Sequence, residues 1–195
     1  MLVHISQGNR KVGNVPSVSL VPIKDCGNCE LCKRDCYYLK AWRQYPAVRT
    51  ACRENSAMAH DHRDEYFAQI RGYLARKRPR FFRWHVAGDV LDQHYLDCMA
   101  TVAALHPYTR FLVFTKMHHL NFTNLPSNLQ AVISRWPRDV APSGRGTEEL
   151  RAAWMQDGAE NRIPDSAIQC PGHCDGCMKC WDLAARGHDV WFRRH

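Results

Sequence analysis

The sequence predicts an α/β protein: an incomplete (β/α) barrel or a small parallel sheet, with a cysteine-rich segment at each end of the chain. Three observations support this. Short apolar runs of strand length alternate with helix-length stretches, the pattern of parallel β/α units. The 195 residues suffice for one ordinary core that buries roughly 70% of the unfolded surface, so a single domain over 1–195 is expected. Eight of the ten cysteines fall in two groups, at 26–36 and 170–180, on either side of the central β/α units at 81–136.

Residues 17–23, SVSLVPI, read as a short strand ending at the first cysteine group. From Tyr37 to about His60 the chain is helix-like, with Leu39, Trp42 and Val48 as apolar markers and Pro46 as a break. A second helix covers Arg63–Lys77, with Asp61 and Asp64 at its start and Pro79 beyond its end. The cations Arg76, Lys77, Arg78 and Arg80 gather at that end. There they complement the helix dipole, and they are also candidates for contact with nucleic-acid phosphates. FFRWHV (81–86) is a buried strand, and Val90–Leu105 a helix with Asp89 or Asp92 as N-cap. RFLVFT (110–115) and LQAVISRW (129–136) are two further strands, followed by a Pro/Gly/Ser-rich loop over 137–150. Four strands fall short of a full eight-stranded barrel.

Strand alternation sets Phe82, Trp84 and Val86 on one face of the 81–87 segment and Arg83, His85 and Ala87 on the other. The first face is apolar and belongs under helices. The second carries a cation and an imidazole, which are costly to bury without partners. Gly88 and Asp89 follow at the C-terminal edge of the strand, where parallel α/β folds bind ligands. Thr115, Lys116, Ser134 and Arg135 end their own strands at that same edge. Arg83, His85, Asp89 and Lys116 are therefore the pocket candidates. The simpler alternatives are that Asp89 only caps a helix and Arg83 only pairs with a carboxylate. His118 and His119 are adjacent, so in extended chain they point apart and make a poor metal pair.

The first twenty residues contain no long apolar stretch, so neither a signal peptide nor a membrane anchor is expected. A reducing cytoplasm is the expected setting, and cysteines there are metal ligands more often than disulfides. Cys26, Cys29, Cys32 and Cys36 have the spacing C-x2-C-x2-C-x3-C. Cys170, Cys174, Cys177 and Cys180 have the same spacing reversed. The forward run is the bacterial ferredoxin pattern for a [4Fe–4S] cluster, except that Tyr37 stands where ferredoxins have proline. One cluster per run is the simple pairing. In the exchanged pairing Cys26, Cys29 and Cys32 join Cys170, while Cys174, Cys177 and Cys180 join Cys36. Zinc held by the C-x2-C pairs, with His173 as a substitute ligand, is the alternative metal. Cys52 and Cys98 stand alone and read as core residues. The formal charge of +8 suits an anionic partner, although each four-thiolate cubane would subtract about 2.

The chain resembles the bacteriophage gene product 88 family of iron–sulfur-like proteins. The resemblance is carried by GNRKVGN, by SLVPIKDC leading into Cys32-Lys-Arg-Asp-Cys36-Tyr, by FRWHVAGDVLDQHYLDCM, by FLVFTK and by the terminal CDGCMKCW. That family in turn looks like a shortened relative of radical S-adenosylmethionine enzymes. These place a cluster loop after the first strand and a Gly-Gly-Glu-like motif after the second, which Asp89 matches in its last position. The resemblance implies a partial radical-SAM-like barrel in a phage protein of the host cytoplasm. It also implies one or two [4Fe–4S] clusters serving redox or structural work, with an electron-transfer partner. In this loop Leu39 stands where a third cysteine would follow Cys36, so Cys26 or Cys29 would complete the set. Three ligands leave an iron open to S-adenosylmethionine or substrate, and four close the cluster. A third function class is a zinc- or cluster-stabilised nucleic-acid-binding protein using Arg76–Arg80.

Overall fold

The computed structural model describes residues 1–27, 30, 32–136, 141–156, 158, 162–174 and 176–194. A six-stranded, all-parallel sheet runs through it, built from β1 (Phe81–Trp84), β2 (Arg110–Thr115), β3 (Leu129–Arg135), β4 (Arg151–Met155), β5 (Ile168–Gln169) and β6 (Val190–Phe192). The spatial order is β1-β2-β3-β4-β6-β5. Helices α1 (Tyr38–Gln44), α2 (Pro46–Asp61) and α3 (Arg63–Lys77) precede β1. Helix α4 (Gln93–Leu105) connects β1 to β2, and the single turn α5 (Leu183–Arg186) precedes β6. No helix among the described residues is long and apolar enough to cross a membrane.

Residues 17–20 do not form a regular strand. They run parallel to β1 through one bridge, Ser17 to Arg83, with Arg83 N–H donating to Pro16 at 2.9 Å and Leu20 N–H to Ala87 at 2.9 Å. Gly88 allows this approach: it sits at φ +81°, and a Cβ there would meet the Leu20 Cβ at 2.6 Å. Pro46 does break the first helical stretch, at the first position of α2, where its missing N–H costs nothing. Helix α3 occupies the predicted range, while α4 begins three residues later than expected. Its N-cap is Asp92, whose carboxylate accepts from Tyr95 N–H at 2.8 Å.

The sheet is buried on both faces, so its central strand reads as an uninterrupted apolar run: Phe111, Leu112 and Val113 are all fully buried. One face, with Phe82, Trp84, Phe111, Val113, Ala131 and Ile133, packs against α2, α3 and α4. The other, with Leu112, Val132, Ala153 and Val190, is covered by the C-terminal segment through Trp181 and Leu183. Strands β4, β5 and β6 were absent from the expectation of four strands. They are two to five residues long, too short for period-2 alternation to register.

β1 also ends two residues earlier than the alternation suggests. His85 takes φ +55°, a left-handed conformation costing about 1–2 kcal/mol for a residue with a Cβ. The turn swings the ring into the helix layer, 5.5 Å between centroids from Tyr95. His85 and Arg83 therefore lie on opposite sides of the sheet, and a shared pocket for the two does not form. His85 is 3% exposed, and burial pushes its pKa down to about 3.

Two predictions concern this core. Leu96, fully buried on α4, should cost about 3 kcal/mol when changed to alanine, read as a lower urea midpoint at unchanged slope. The unfolded chain protonates His85 below about pH 6.5 while the folded one refuses the proton down to about 3. Its contribution is present at neutral pH and is lost as the pH falls through that window. His85→Phe should therefore gain on the wild type between pH 7 and pH 5 in paired urea titrations.

Candidate metal centre

The C-terminal cysteines lie against the sheet face opposite the helices. Cys170 follows β5, and its N–H donates to Trp191 of β6 at 2.8 Å. The chain then turns at Gly172, φ +86°, a conformation that favours glycine. Gly172 N–H donates back to the Cys170 sulfur at 3.4 Å. Cys174 N–H donates to Lys11 at 2.7 Å, and Cys177 N–H closes a turn onto Cys174 at 2.9 Å. Trp181, next to Cys180, anchors the segment edge-on against Phe81 at 5.4 Å between centroids. Arg110 pairs with Asp182 just beyond it.

These four thiols are electrostatic neighbours: Cys170, Cys174 and Cys177 all act on Cys180. Burial pushes Cys170 and Cys174 up, and Cys180 to about 12, with its thiol neighbours adding to the shift. A thiolate here is costly unless a cation compensates it. Arg83 supplies one such cation. Its side chain leaves β1 on this face, its guanidinium lies 4.9 Å from the Phe114 ring centroid, and its charge reaches Cys170, Cys174 and Cys180. The buried Arg83 Nε has no hydrogen-bond partner among the described residues.

The N-terminal run begins beside the C-terminal end of β1. Ile23 N–H donates to the Cys26 sulfur at 3.1 Å, and burial is the main cause that raises the Cys26 pKa. Asp25, buried beside it, accepts from Val21 N–H at 2.9 Å and pairs with His60 at 3.0 Å. Asp89 N–H donates to the Asp25 carbonyl at 2.6 Å. The Asp89 carboxylate accepts from Val90 N–H and Lys116 N–H, both at 2.7 Å. Cys26, Asp89 and Lys116 thus converge on the C-terminal edge of the sheet, and burial raises the Asp89 pKa against the pull of Lys116. The N-cap of α4 is Asp92, so Asp89 serves this junction instead. Lys116 places its ammonium 5.4 Å from the Trp136 ring centroid. Cys29 lies outside the described residues. Cys32 and Cys36 flank the turn Lys33–Asp35 and are half-buried.

The two runs meet at Tyr37. Its hydroxyl donates to Val86 at 2.9 Å, and Cys36, Cys174, Arg83 and Lys116 all lie within its electrostatic reach. Lys11 sits 4.7 Å from its ring centroid. Arg194 adds a second tie, pairing with Asp35 at 3.1 Å. Tyr37, Lys11 and Asp25 did not emerge from sequence reasoning. Only one of them left a signal, because Tyr37 occupies the position where ferredoxins have proline.

Other predicted residues lie elsewhere. Arg78 forms the left-handed C-cap of α3 and stacks 4.6 Å from the Tyr108 centroid. Arg80 stacks 5.2 Å from Phe81, at the opposite end of β1 from Cys26. Arg135 stacks on Trp154 at 4.6 Å, and His118 Nε2 bonds the Ser134 carbonyl at 2.8 Å. Cys52 is buried, 3.4 Å from the Tyr38 hydroxyl, and Cys98 packs against the helix-side core.

The nine described cysteines are free. Among the described residues no group of three or more Cys, His, Asp or Glu side chains forms a closed metal cage as it stands. The fit to a metal rests on the donor set: four half-buried soft sulfurs on one apolar-backed segment beside a fixed cation suit an anionic thiolate-held centre. The family model described as gene product 88 matches residues 5–187, nearly the whole chain. No curated protein and no solved structure matches it.

Proposed function

We propose, from the premise that the chain belongs to the gene product 88 family of phage proteins, that its cysteine runs hold [4Fe–4S] clusters, one per run, in a redox or structural role. The observation that carries this reading is the grouping of Cys170, Cys174, Cys177 and Cys180 beside Arg83 on the covered sheet face. Cys26, Cys29, Cys32 and Cys36 would hold the second cluster. Such a centre would supply one-electron chemistry. The chain's own residues do the rest. Arg83 offsets the negative charge of the thiolates, Phe114 and Trp181 exclude water, and Tyr37, held by the Val86 carbonyl, stands within electrostatic reach of both runs. The setting is the reducing cytoplasm of the host, where the thiols stay free to bind metal.

A second reading is an iron left open at the N-terminal run for S-adenosylmethionine or substrate. It is favoured by the place of Cys26 beside Gly88 and Asp89, at the sheet edge where parallel α/β proteins bind ligands.

Protein purified without oxygen should be brown, with broad absorbance near ~400 nm and about eight iron atoms per chain. Colourless protein with stoichiometric zinc would sink both readings. An altered electron paramagnetic resonance spectrum on adding S-adenosylmethionine would select the open-iron form. Arg83→Gln should make the C-terminal cluster harder to reduce by about tenfold, roughly 59 mV for one electron. Arg83→Lys should restore most of that shift, as measured by redox titration.

A further inference from the structure

Residues 1–53 hold nine of the 27 cations but only three carboxylates, so most of the formal charge of +8 sits in the first quarter of the chain. Part of that charge is gathered into one feature. An open cleft of about 470 Å³ is lined by the cations Lys33, Arg34, Lys40 and Arg43, together with Cys36, Leu39 and Gln44. The volume is in the range of ligand-binding clefts.

The cations are not spent on the fold. Lys33 pairs with Glu30 at 3.0 Å. Arg34, Lys40 and Arg43 are exposed and have no carboxylate partner among the described residues. Lys40 and Arg43 are three apart on α1, a like-charge spacing that destabilises a helix. Cations crowded without counter-charge are eased by a bound polyanion. The arginine that does support this fold is a different one: Arg49 donates to the carbonyls of Trp42 and Arg43 at 2.9 and 3.0 Å, closing the end of α1.

An aromatic ring adjoins these charges. Tyr45, directly after Gln44, is 51% exposed, whereas Tyr37, at the other end of α1, already carries Lys11 over its ring. An apolar ring open to solvent beside unpaired cations suits a flat base attached to a phosphate. An acidic protein would need the cations but not the ring. A duplex hides its base faces in its own stack, whereas a single strand offers them.

We propose that this cleft binds single-stranded nucleic acid, with phosphates on Lys33, Arg34, Lys40 and Arg43 and a base stacked on Tyr45. Cys36, a proposed cluster ligand, also lines the cleft, so iron content is measured on every variant: lost binding with iron retained is a loss of the nucleic-acid contacts and not of the cluster.

The test is fluorescence anisotropy of a labelled oligothymidylate of fifteen nucleotides with the anaerobically purified chain. Four phosphate contacts predict a salt slope of about −3, a loss of roughly 50-fold between 50 and 200 mM salt. Arg34→Glu/Lys40→Glu/Arg43→Glu should weaken binding more than a hundredfold. The neutral triple Arg34→Gln/Lys40→Gln/Arg43→Gln serves if the first fails to fold by circular dichroism. Tyr45→Ala should lose about tenfold with the salt slope unchanged. Arg76→Glu/Lys77→Glu, at the far end of α3, should bind as the wild type does. The proposal is overturned if the wild type does not bind at 50 mM salt. Unimpaired triple variants, or a loss confined to Arg76→Glu/Lys77→Glu, also overturn it. Displacement by polyglutamate at equal charge, with Tyr45→Ala unaffected, would instead identify an acidic protein as the occupant and overturn the nucleic-acid assignment.

Discussion

A carboxylate buried at the end of β1 joins the start of the first cysteine run to the ends of two strands. Asp89 accepts from its own neighbour Val90 and from Lys116 at the end of β2, and its N–H holds the carbonyl of Asp25. A buried charge left unpaired costs several kcal/mol, so this junction tolerates little displacement. Cys26 is the residue after Asp25. The start of the first cysteine run is therefore pinned to the ends of two strands rather than carried on a free loop. Gly88 completes the arrangement, since a side chain there would drive Leu20 and the whole 17–20 segment away from β1.

The sheet meets two different environments. On one face, α2, α3 and α4 supply a conventional apolar layer with rings packed at 5–6 Å, such as Phe67 with Trp84. On the other, a short segment with little regular structure does the covering. Its apolar surface is limited to a few side chains such as Trp181 and Leu183, and the remainder is sulfur. An unaided segment of this kind, with thiols pushed away from ionisation by burial, is a weak cover. A bound metal would convert the same four sulfurs from a desolvation cost into a cross-link between the sheet and the C-terminal chain. Tyr37 and the Arg194–Asp35 pair show why the first run belongs to this structure as well.

Much of the helix-side architecture was legible in the sequence. Helix α3 and strand β2 have the boundaries that their punctuation indicates, because Pro79 and the apolar run Phe111–Phe114 act locally. The convergence of Asp89 and Lys116 at one sheet edge was also legible, since parallel strands bring their C-terminal ends together. His85 was misread because alternation assumes an extended backbone, and one left-handed residue reverses the side to which a ring points. Strands β4, β5 and β6 escaped because their short segments become strands only by pairing with partners up to 37 residues away, as the Asp189 carboxylate does with Ala152 N–H.

The sequence alone determined the mirrored cysteine spacing, the basic first quarter of the chain and the alternation of helix and strand, because all three are properties of neighbouring residues. Tertiary structure alone decided that the C-terminal run lies across the sheet beside Arg83, that Tyr37 joins the two runs, and that His85 leaves the pocket. Each of those depends on contacts between segments distant in the chain, such as the Tyr37 hydroxyl with the Val86 carbonyl and Arg194 with Asp35. Spacing along a chain carries no information about which remote face will bury it; only packing and the pairing of buried charge settle that.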